Sequence, residues 1–431
     1  MRSAFSASCD RARFDAFAGE LARRMDADLL LSAPGFTGES RTLAGIGPDR
    51  EFVLEPDTSR DAIKSFCFSL PGTTLGYLSY AFGMHLRGIA TDKACPVPFG
   101  VLRKYRAVAE FHAVTGTGAS DASGTVEISG DPETVRMAAD LFSNLDSPVA
   151  PGPVRGLPDG PFRASLDRAG YETGVRETLE RIRDGHTYQL NLTTRLAWDC
   201  PELDSLNLFL HMRRTHPAPF YFWFTAGQQR ILSTSPERFL RVEQGEVLAQ
   251  PIKGTLRFDE YSPELERTLT SDPKEDAELS MIVDLLRNDI SMNCEVGTVR
   301  VEEHKSVFQV DNLLQMYANV RGSLAPGRDC LDLFLDAFPG GSITGCPKRR
   351  SMEIIEELEP HARGAYCGSA VVIEDEQTMD SSILIRTAVH DRQRGVLEYW
   401  AGSGIVVDSD PVKEYWETMA KAEKFLHPGD A

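Results

Sequence analysis

The sequence predicts a large α+β fold. Predicted strands and helices interleave along the chain, but without the regular βαβ rhythm of a doubly wound sheet. The chain has 431 residues, 42% of them hydrophobic, which is ample for an extensive core. A stretch rich in proline and glycine then divides it into two unequal parts.

The first part alternates short apolar runs with glycine turns. Asp28 to Ser32 and Thr74 to Tyr80 read as strands. Asp131 followed by Pro132 reads as an N-cap and a first-turn proline. Val135, Ala138, Ala139, Phe142 and Leu145 keep helical spacing behind them. Asp146 to Phe162 holds five prolines and is the expected linker. The expected division is therefore residues 1–150 and 162–431, packed together as one unit. After the linker, Tyr171 to Asp184 is an expected helix and Tyr188 to Leu196 a strand. Phe220 to Phe224 and Arg230 to Ser235 are expected sheet. Asp276 to Asn288 is a helix opened by Ser271-Asp272-Pro273. Cys346 to Leu358 and Pro411 to Leu426 are two more helices. Ala370 to Glu374, Ser382 to His390 and Leu397 to Trp400 read as strands.

Composition narrows the function. The 46 basic and 64 acidic residues leave a net charge of −18, and no basic stretch stands out. Nucleic acid and anionic membrane are therefore not expected partners. An anionic substrate would need local cations or a metal against that field. The 8 cysteines are scattered, without a CxxC or CxH pair, which argues against zinc and fits a reducing cytoplasm. The first 31 residues lack the apolar core of a signal peptide. No apolar run approaches the roughly 20 residues that cross a bilayer. The expectation is a soluble cytoplasmic protein.

Several constellations are able to carry chemistry. Lys253, in Gln250-Pro251-Ile252-Lys253-Gly254-Thr255, reads as a strand end entering a glycine turn. It is either a surface lysine or a desolvated amine acting as nucleophile or base. Glu414, Glu417 and Lys421 share one face of the last helix. They form either a solvated face with an ion pair or a carboxylate site for Mg²⁺. Ser409 or Asp410 can cap that helix. Glu278 heads an apolar helical run and is either a ligand or half of an ion pair, with Arg287 a possible partner. Phe338 to Lys348 is a glycine-rich run entering a helix, without the spacing of a Walker A loop. It is an ordinary loop or a site for an anion. Ala401 to Ile405 reads as a second glycine turn, a plain hairpin or a close approach to a ligand. Arg386, inside an apolar β-rich run, needs a carboxylate from the protein or from a substrate. Glu237 reads as a surface charge or a general acid.

Together these segments resemble the chorismate-utilising enzymes, from about Tyr171 to Leu426. The motifs are MIVDLLRNDI (Met281–Ile290), FPGGSITGCPK (Phe338–Lys348), EELEP (Glu356–Pro360), and AGSGIVVDS with EYWET near the C-terminus. Before the linker the resemblance rests mainly on GYLSYAFG (Gly76–Gly83). It implies two β-sheets packed face to face, helices outside and an active site between the sheets. It also implies that chorismate is the substrate and Mg²⁺ the cofactor, with Glu278 and Glu417 as metal ligands and Glu414 close or water-linked. Arg386 and Tyr366 would bind the enolpyruvyl carboxylate. Thr344, Lys421 and the backbone of Gly402 to Gly404 would complete the pocket. Glu237 would be the general acid for loss of the C4 hydroxyl.

Two positions distinguish the branches of that family. Isochorismate and salicylate synthases resemble one another in placing a water-activating lysine where this chain has Gln189. An amide does not take up a proton in that way, so ammonia is the expected nucleophile. Anthranilate synthases usually read PIAGT, whereas this chain reads PIKGT and resembles the aminodeoxychorismate synthase branch. There the lysine is thought to attack C2 before ammonia adds at C4. Gln315 stands where several members have histidine. No glutaminase segment is recognisable, so the resemblance implies a separate glutamine amidotransferase subunit as ammonia source.

Overall fold

The computed structural model describes residues 3–33, 41–113, 123–145, 154–156, 161–215, 218–310 and 313–426. Most of the expected linker, 146–153 and 157–160, lies outside them. The first part carries β1 (Ser3–Asp10), α1 (Arg11–Arg24), β2 (Ala27–Leu31), β3 (Leu43–Leu54), α2 (Arg60–Phe68), β4 (Thr74–Leu78), α3 (Tyr80–Leu86), β5 (Gly100–Ala113), β6 (Ser123–Gly130) and α4 (Pro132–Ser143). Next come β7 (Arg163–Ala164), α5 (Arg168–Arg183), β8 (Gln189–Asp199), α6 (Ser205–Thr215), β9 (Phe220–Ala226), β10 (Gln229–Ser235), β11 (Arg238–Glu243), β12 (Glu246–Gln250), β13 (Ile252–Arg257), α7 (Pro263–Thr270) and α8 (Pro273–Ser291). The last part holds β14 (Arg300–Val310), β15 (Leu313–Ser323), α9 (Cys330–Ala337), a 3-10 turn (Gly341–Ile343), β16 (Gly345–Cys346), α10 (Lys348–Leu358), β17 (Ser369–Asp375), β18 (Thr378–Ile383), β19 (Thr387–Asp391), β20 (Val396–Ile405) and α11 (Pro411–Leu426).

Capping sets several helix starts where the sequence places them. Asp131 accepts from the Thr134 N–H at 3.0 Å and opens α4. Asp272 accepts from the Glu275 N–H at 3.2 Å before α8. At α11 the cap is Asp410, which accepts from Val412 and Lys413 at 3.0 and 2.9 Å. Each such bond satisfies an N–H that the helix leaves open, worth about 1 kcal/mol.

The strands form one antiparallel network with two branches. One run of neighbours is β1, β6, β5, β3, β2, β9, β10, β19, β20 and β8. The other leaves β5 through β4, β17, β18, β11 and β12 to β15, which β13 and β14 also flank. Strands of the first part thus pair directly with strands of the second, β2 with β9 and β4 with β17.

The network folds over on itself. β4 and β9 are joined only through β5, β3 and β2, which would separate them by about 19 Å in a flat sheet. Yet the rings of Tyr77 on β4 and Phe224 on β9 lie 5.5 Å apart. The two branches therefore face each other, and the core between them holds Leu75, Tyr77, Phe222, Phe224, Val371 and Trp400. Strand β9 alternates as a doubly covered strand should. Phe222 and Phe224 enter that core, while Tyr221 and Trp223 enter a second core with Phe14 and Phe17 of α1 and Phe209 of α6. Each such fully buried side chain contributes about 1.5–3 kcal/mol. Helices on the outer faces complete the expected layered α+β architecture.

Two of the chain's crossings between the branches lie side by side. One crossing is Pro236-Glu237, between β10 and β11. The other is Leu384-Ile385-Arg386, between β18 and β19. They are stitched together by Thr234 N–H to Arg386 O and Ile383 N–H to Glu237 O, both 3.1 Å. Two residues singled out from sequence therefore sit at one seam.

Candidate active site

Glu237 is buried at the seam, only 7% exposed, and is not the surface charge that its local sequence allows. Burial pushes its carboxyl pKa up. Ser342 and Lys253 act in the opposite direction, although Ser342 Oγ makes no hydrogen bond within 3.5 Å. Arg386 differs from the sequence reading in its backbone. It lies between two strands with φ +50°, a left-handed conformation that costs a non-glycine residue free energy. Its side chain makes no ion pair and no hydrogen bond among the described residues. Burial pushes the guanidinium pKa down, and its nearest electrostatic neighbours are the phenols of Tyr399 and Tyr221. Of the two partners open to Arg386 from sequence, a protein carboxylate is not the one found.

Lys253 lies within β13, not at a strand end. Gly254 follows at φ +74° as a bulge, where the register with β15 shifts between Lys253 and Thr255. A bulge re-aims its neighbours. The Lys253 side chain is 19% exposed, with Nζ 3.9 Å from Glu278 Oε2 on α8. Lys253 thus forms an ion pair with Glu278, the role sequence had suggested for Arg287. Arg287 instead pairs with Asp284 at 3.3 Å. Gln315, on β15, is buried opposite Thr255.

A third group gathers on β8 and β20. Gly402 and Gly404 lie inside β20, so the expected glycine turn is a strand. Their lack of a side chain serves close approach instead. A Cβ on Gly402 would come 2.4 Å from Leu192 O, and one on Gly404 would come 2.9 Å from Gln189 Nε2. Gln189 is 2% exposed, and its Oε1 has no hydrogen-bond partner. Tyr366 is buried and stacks on Trp400 at 6.2 Å and 9°. Thr344 is fully buried, its hydroxyl donating to Gly340 O at 2.8 Å. Its carbonyl accepts from the Asn191 N–H at 2.9 Å.

On α11, Lys421 Nζ donates to Gly402 O at 3.1 Å and pairs with Glu417 at 2.9 Å. Glu417 is half exposed. Glu414 is 5% exposed and accepts from Ser409 Oγ at 2.7 Å. Among the described residues no three acidic, histidine or cysteine side chains converge as a ready-made metal cage. The expected donors are nonetheless all carboxylates. That chemistry fits Mg²⁺, which takes one or two carboxylates and completes its shell with water and substrate oxygens.

Two of the buried ion pairs that escaped the sequence reading involve residues of the long motifs. Lys348, the last residue of FPGGSITGCPK, holds Asp289 at 2.8 Å and also donates to Ala337 O. Arg363 holds Glu359 of the EELEP run at 2.7 Å. The signal available for the second was charge, with Glu359, His361 and Arg363 crowded into an otherwise small and apolar stretch. Surface cavities of about 360 and 750 Å³ are lined by other residues, including Asn319 and Arg321 in the first and Lys104 and His112 in the second. No helix among the described residues is long and apolar enough to cross a membrane.

The sequence profile of the chorismate binding enzymes matches residues 32–427. The chain belongs to that family. It is 34% identical to anthranilate synthase component 1 of Cereibacter sphaeroides over 360 residues, 81% of this chain and 71% of that protein. It is 40% identical to aminodeoxychorismate synthase component 1 of Klebsiella aerogenes over 269 residues, 62% of this chain. That match spans 59% of the Klebsiella protein's length. In fold it is similar to anthranilate synthase component I from Streptococcus pneumoniae, with a TM-score of 0.77 at 23% identity, covering 91% of this chain and 93% of that one. It is likewise similar to the menaquinone-specific isochorismate synthase from Escherichia coli, with a TM-score of 0.74 at 18% identity, covering 99% and 94%. This member of the chorismate binding family is a chorismate-utilising enzyme.

Proposed function

We propose that the chain aminates chorismate at C4 to 4-amino-4-deoxychorismate, towards p-aminobenzoate and folate, with ammonia from a glutamine amidotransferase subunit. The observation that carries this reading is the position of Lys253, four-fifths buried beside Glu278 and close enough to Glu237 to bias its ionisation. An amine and a carboxyl with a raised pKa at one place suit a nucleophile and a general acid. The 40% identity to the Klebsiella aminodeoxychorismate synthase adds support.

In this reading the neutral Lys253 amine attacks C2 while the C4 hydroxyl leaves as water, protonated by Glu237. The adduct nitrogen returns a proton to Glu237. Ammonia then bonds to C4 and the C2–nitrogen bond to lysine breaks. Glu237 protonates the departing lysine and takes up the proton that the new C4 ammonium sheds. The sum is chorismate plus ammonia giving aminodeoxychorismate plus water. Gln189, with its unpartnered Oε1, lacks a basic group to activate water but can accept a hydrogen bond from ammonia. Arg386 has all its donors free for a carboxylate, assisted by Tyr366, with Thr344, Lys421, Gly402 and Gly404 shaping the pocket. Mg²⁺ on Glu278 and Glu417, with Glu414 nearby, would neutralise the ring carboxylate.

The test is product analysis with chorismate, Mg²⁺ and ammonium at mildly alkaline pH, with and without an aminodeoxychorismate lyase. p-Aminobenzoate is expected in the coupled reaction. Anthranilate or salicylate as main product overturns the proposal. Lys253→Ala should lose most activity, and its residual product should shift towards C2 amination. An unchanged rate and product would remove the nucleophile role. A second reading, direct amination at C2 to anthranilate, draws support from the Cereibacter relative, whose alignment covers more of this chain. The same product analysis separates the two.

A further inference from the structure

Arg363 is fully enclosed, and every one of its N–H donors is used. Nε donates to Glu359 Oε2 at 2.9 Å and Nη2 to Glu359 Oε1 at 2.7 Å. Nη2 also donates to Asn191 O at 2.6 Å, and Nη1 to Ile343 O at 2.8 Å and Cys367 Sγ at 3.5 Å. The guanidinium lies over the Tyr80 ring, 4.7 Å from its centroid. Glu359 is equally saturated. Its Oε1 accepts from the Thr193 N–H and the Thr193 hydroxyl, both at 2.8 Å. His361 bridges Thr193 Oγ1 at 3.2 Å to Ser165 Oγ at 2.9 Å.

The carbonyls that Arg363 holds are not arbitrary. Ile343 immediately precedes Thr344, and Asn191 lies two residues beyond Gln189 on β8. Asn191 is gripped at both ends, its N–H by Thr344 O at 2.9 Å and its C=O by Arg363. One planar fork therefore spans the gap between the glycine-rich loop and the strand that carries Gln189. A lysine at the same place has three donors from a single nitrogen and lacks the geometry to serve two backbone carbonyls and both carboxylate oxygens together.

We infer that the Arg363–Glu359 pair, with Thr193, is a positioning device that sets Thr344 and Gln189 relative to each other, and so sets turnover without touching substrate. The inference rests on the proposed site only in placing those two residues at it. Misplacement of a reacting group by about 1 Å costs on the order of 10²-fold in rate. A positioning role therefore predicts a loss in kcat larger than any change in chorismate KM.

The experiment uses the full chain and graded variants. Thr193→Val removes the hydroxyl's bonds to Glu359 and His361 while keeping the backbone N–H bond to Glu359, Glu359→Gln removes the charge but keeps the shape, and Arg363→Lys keeps the charge but loses the fork. Folding is followed by circular dichroism and thermal melting. Kinetics are followed as chorismate consumption with ammonium, well below each melting temperature. We expect kcat to fall in that order, by about 10-fold to 10²-fold, with chorismate KM changed less than about 3-fold. Unchanged kcat in the folded variants overturns the inference. So does a loss that only follows the folded fraction, including outright failure of the series to fold, which leaves the pair as core architecture. Because each variant is compared with wild type on total chorismate consumption, the result stands whichever product wild type forms. Failure of the C4 amination reading would show in product identity alone.

Discussion

Arg363, fully enclosed, and Arg386, only partly covered, stand under opposite conditions. Arg363 has a carboxylate, two backbone carbonyls, a sulfur and an aromatic face around it, and its pKa stands well above the usual value despite burial. Arg386 has no ion pair and no side-chain hydrogen bond among the described residues. Burial, with only neutral phenols nearby, pushes its pKa down. A cation partly withdrawn from water without a partner is costly. Arg386 nonetheless stands on a left-handed backbone at a sheet crossing, and the proposed function assigns it to a substrate carboxylate. The contrast separates an arginine bonded throughout from one without a protein partner among the described residues.

Removing Arg363 should give the largest effect. Arg363→Met leaves Glu359 buried beside Thr193 without its cation, so unfolding free energy should drop by about 3–5 kcal/mol. Urea denaturation measures it. A loss below about 1 kcal/mol would place Arg363 in the same class as Arg386 and dissolve the comparison.

Arg386→Met should behave the other way. Lost charge-assisted hydrogen bonds to a substrate carboxylate are worth about 1.5–3 kcal/mol, so chorismate KM should rise by about 10- to 10²-fold. Unfolding free energy should stay within about 0.5 kcal/mol of wild type or increase. Steady-state kinetics and a urea titration read the two halves. A destabilised variant with normal KM would mean that Arg386 has a structural partner after all.

How far the sequence foretold this contrast depends on the kind of signal. Long motifs such as MIVDLLRNDI and FPGGSITGCPK revealed the family, and alternation and capping revealed most elements, because both are local properties of the chain. Asp131-Pro132 and Asp272-Pro273 open helices as read. Glycine proved ambiguous, since it marks both turns and close approach. Gly402 and Gly404 read as a turn but sit in β20, where the constraint is the neighbouring Leu192 O and Gln189. Gly254 read as a turn after Lys253 and is a bulge within β13. Partner choice was invisible for the same reason that it matters. Glu359 and Arg363 are four residues apart, but α10 ends at Leu358, so no helical spacing suggests that they meet. The seam that unites Glu237 with Arg386 arises from pairing between strands nearly 150 residues apart, such as Arg238 with Ser382, and no local pattern contains it.

Glu237 sharpens the comparison at its weakest end, because it is the seam's buried acid as Arg386 is its partly covered cation. Its folded pKa lies above its unfolded value, chiefly through burial, with Ser342 and Lys253 only partly offsetting it. A carboxyl raised in this way stabilises the fold fully at pH below its unfolded pKa. That contribution is lost as pH rises through the folded pKa, where the buried group must carry charge. Glu237→Gln keeps the shape and removes the charge, and its amide can pair with the otherwise unpartnered Ser342 hydroxyl. The variant should therefore match wild type in stability under acid conditions and exceed it by about 1 kcal/mol above the folded pKa of Glu237, the gain typical of relieving a functional site of its strain. Urea titrations at a series of pH values trace that difference. A variant less stable than wild type at neutral pH would show that the Glu237 carboxylate is held by partners in the fold, as Glu359 is, and that the seam is not electrostatically unfinished.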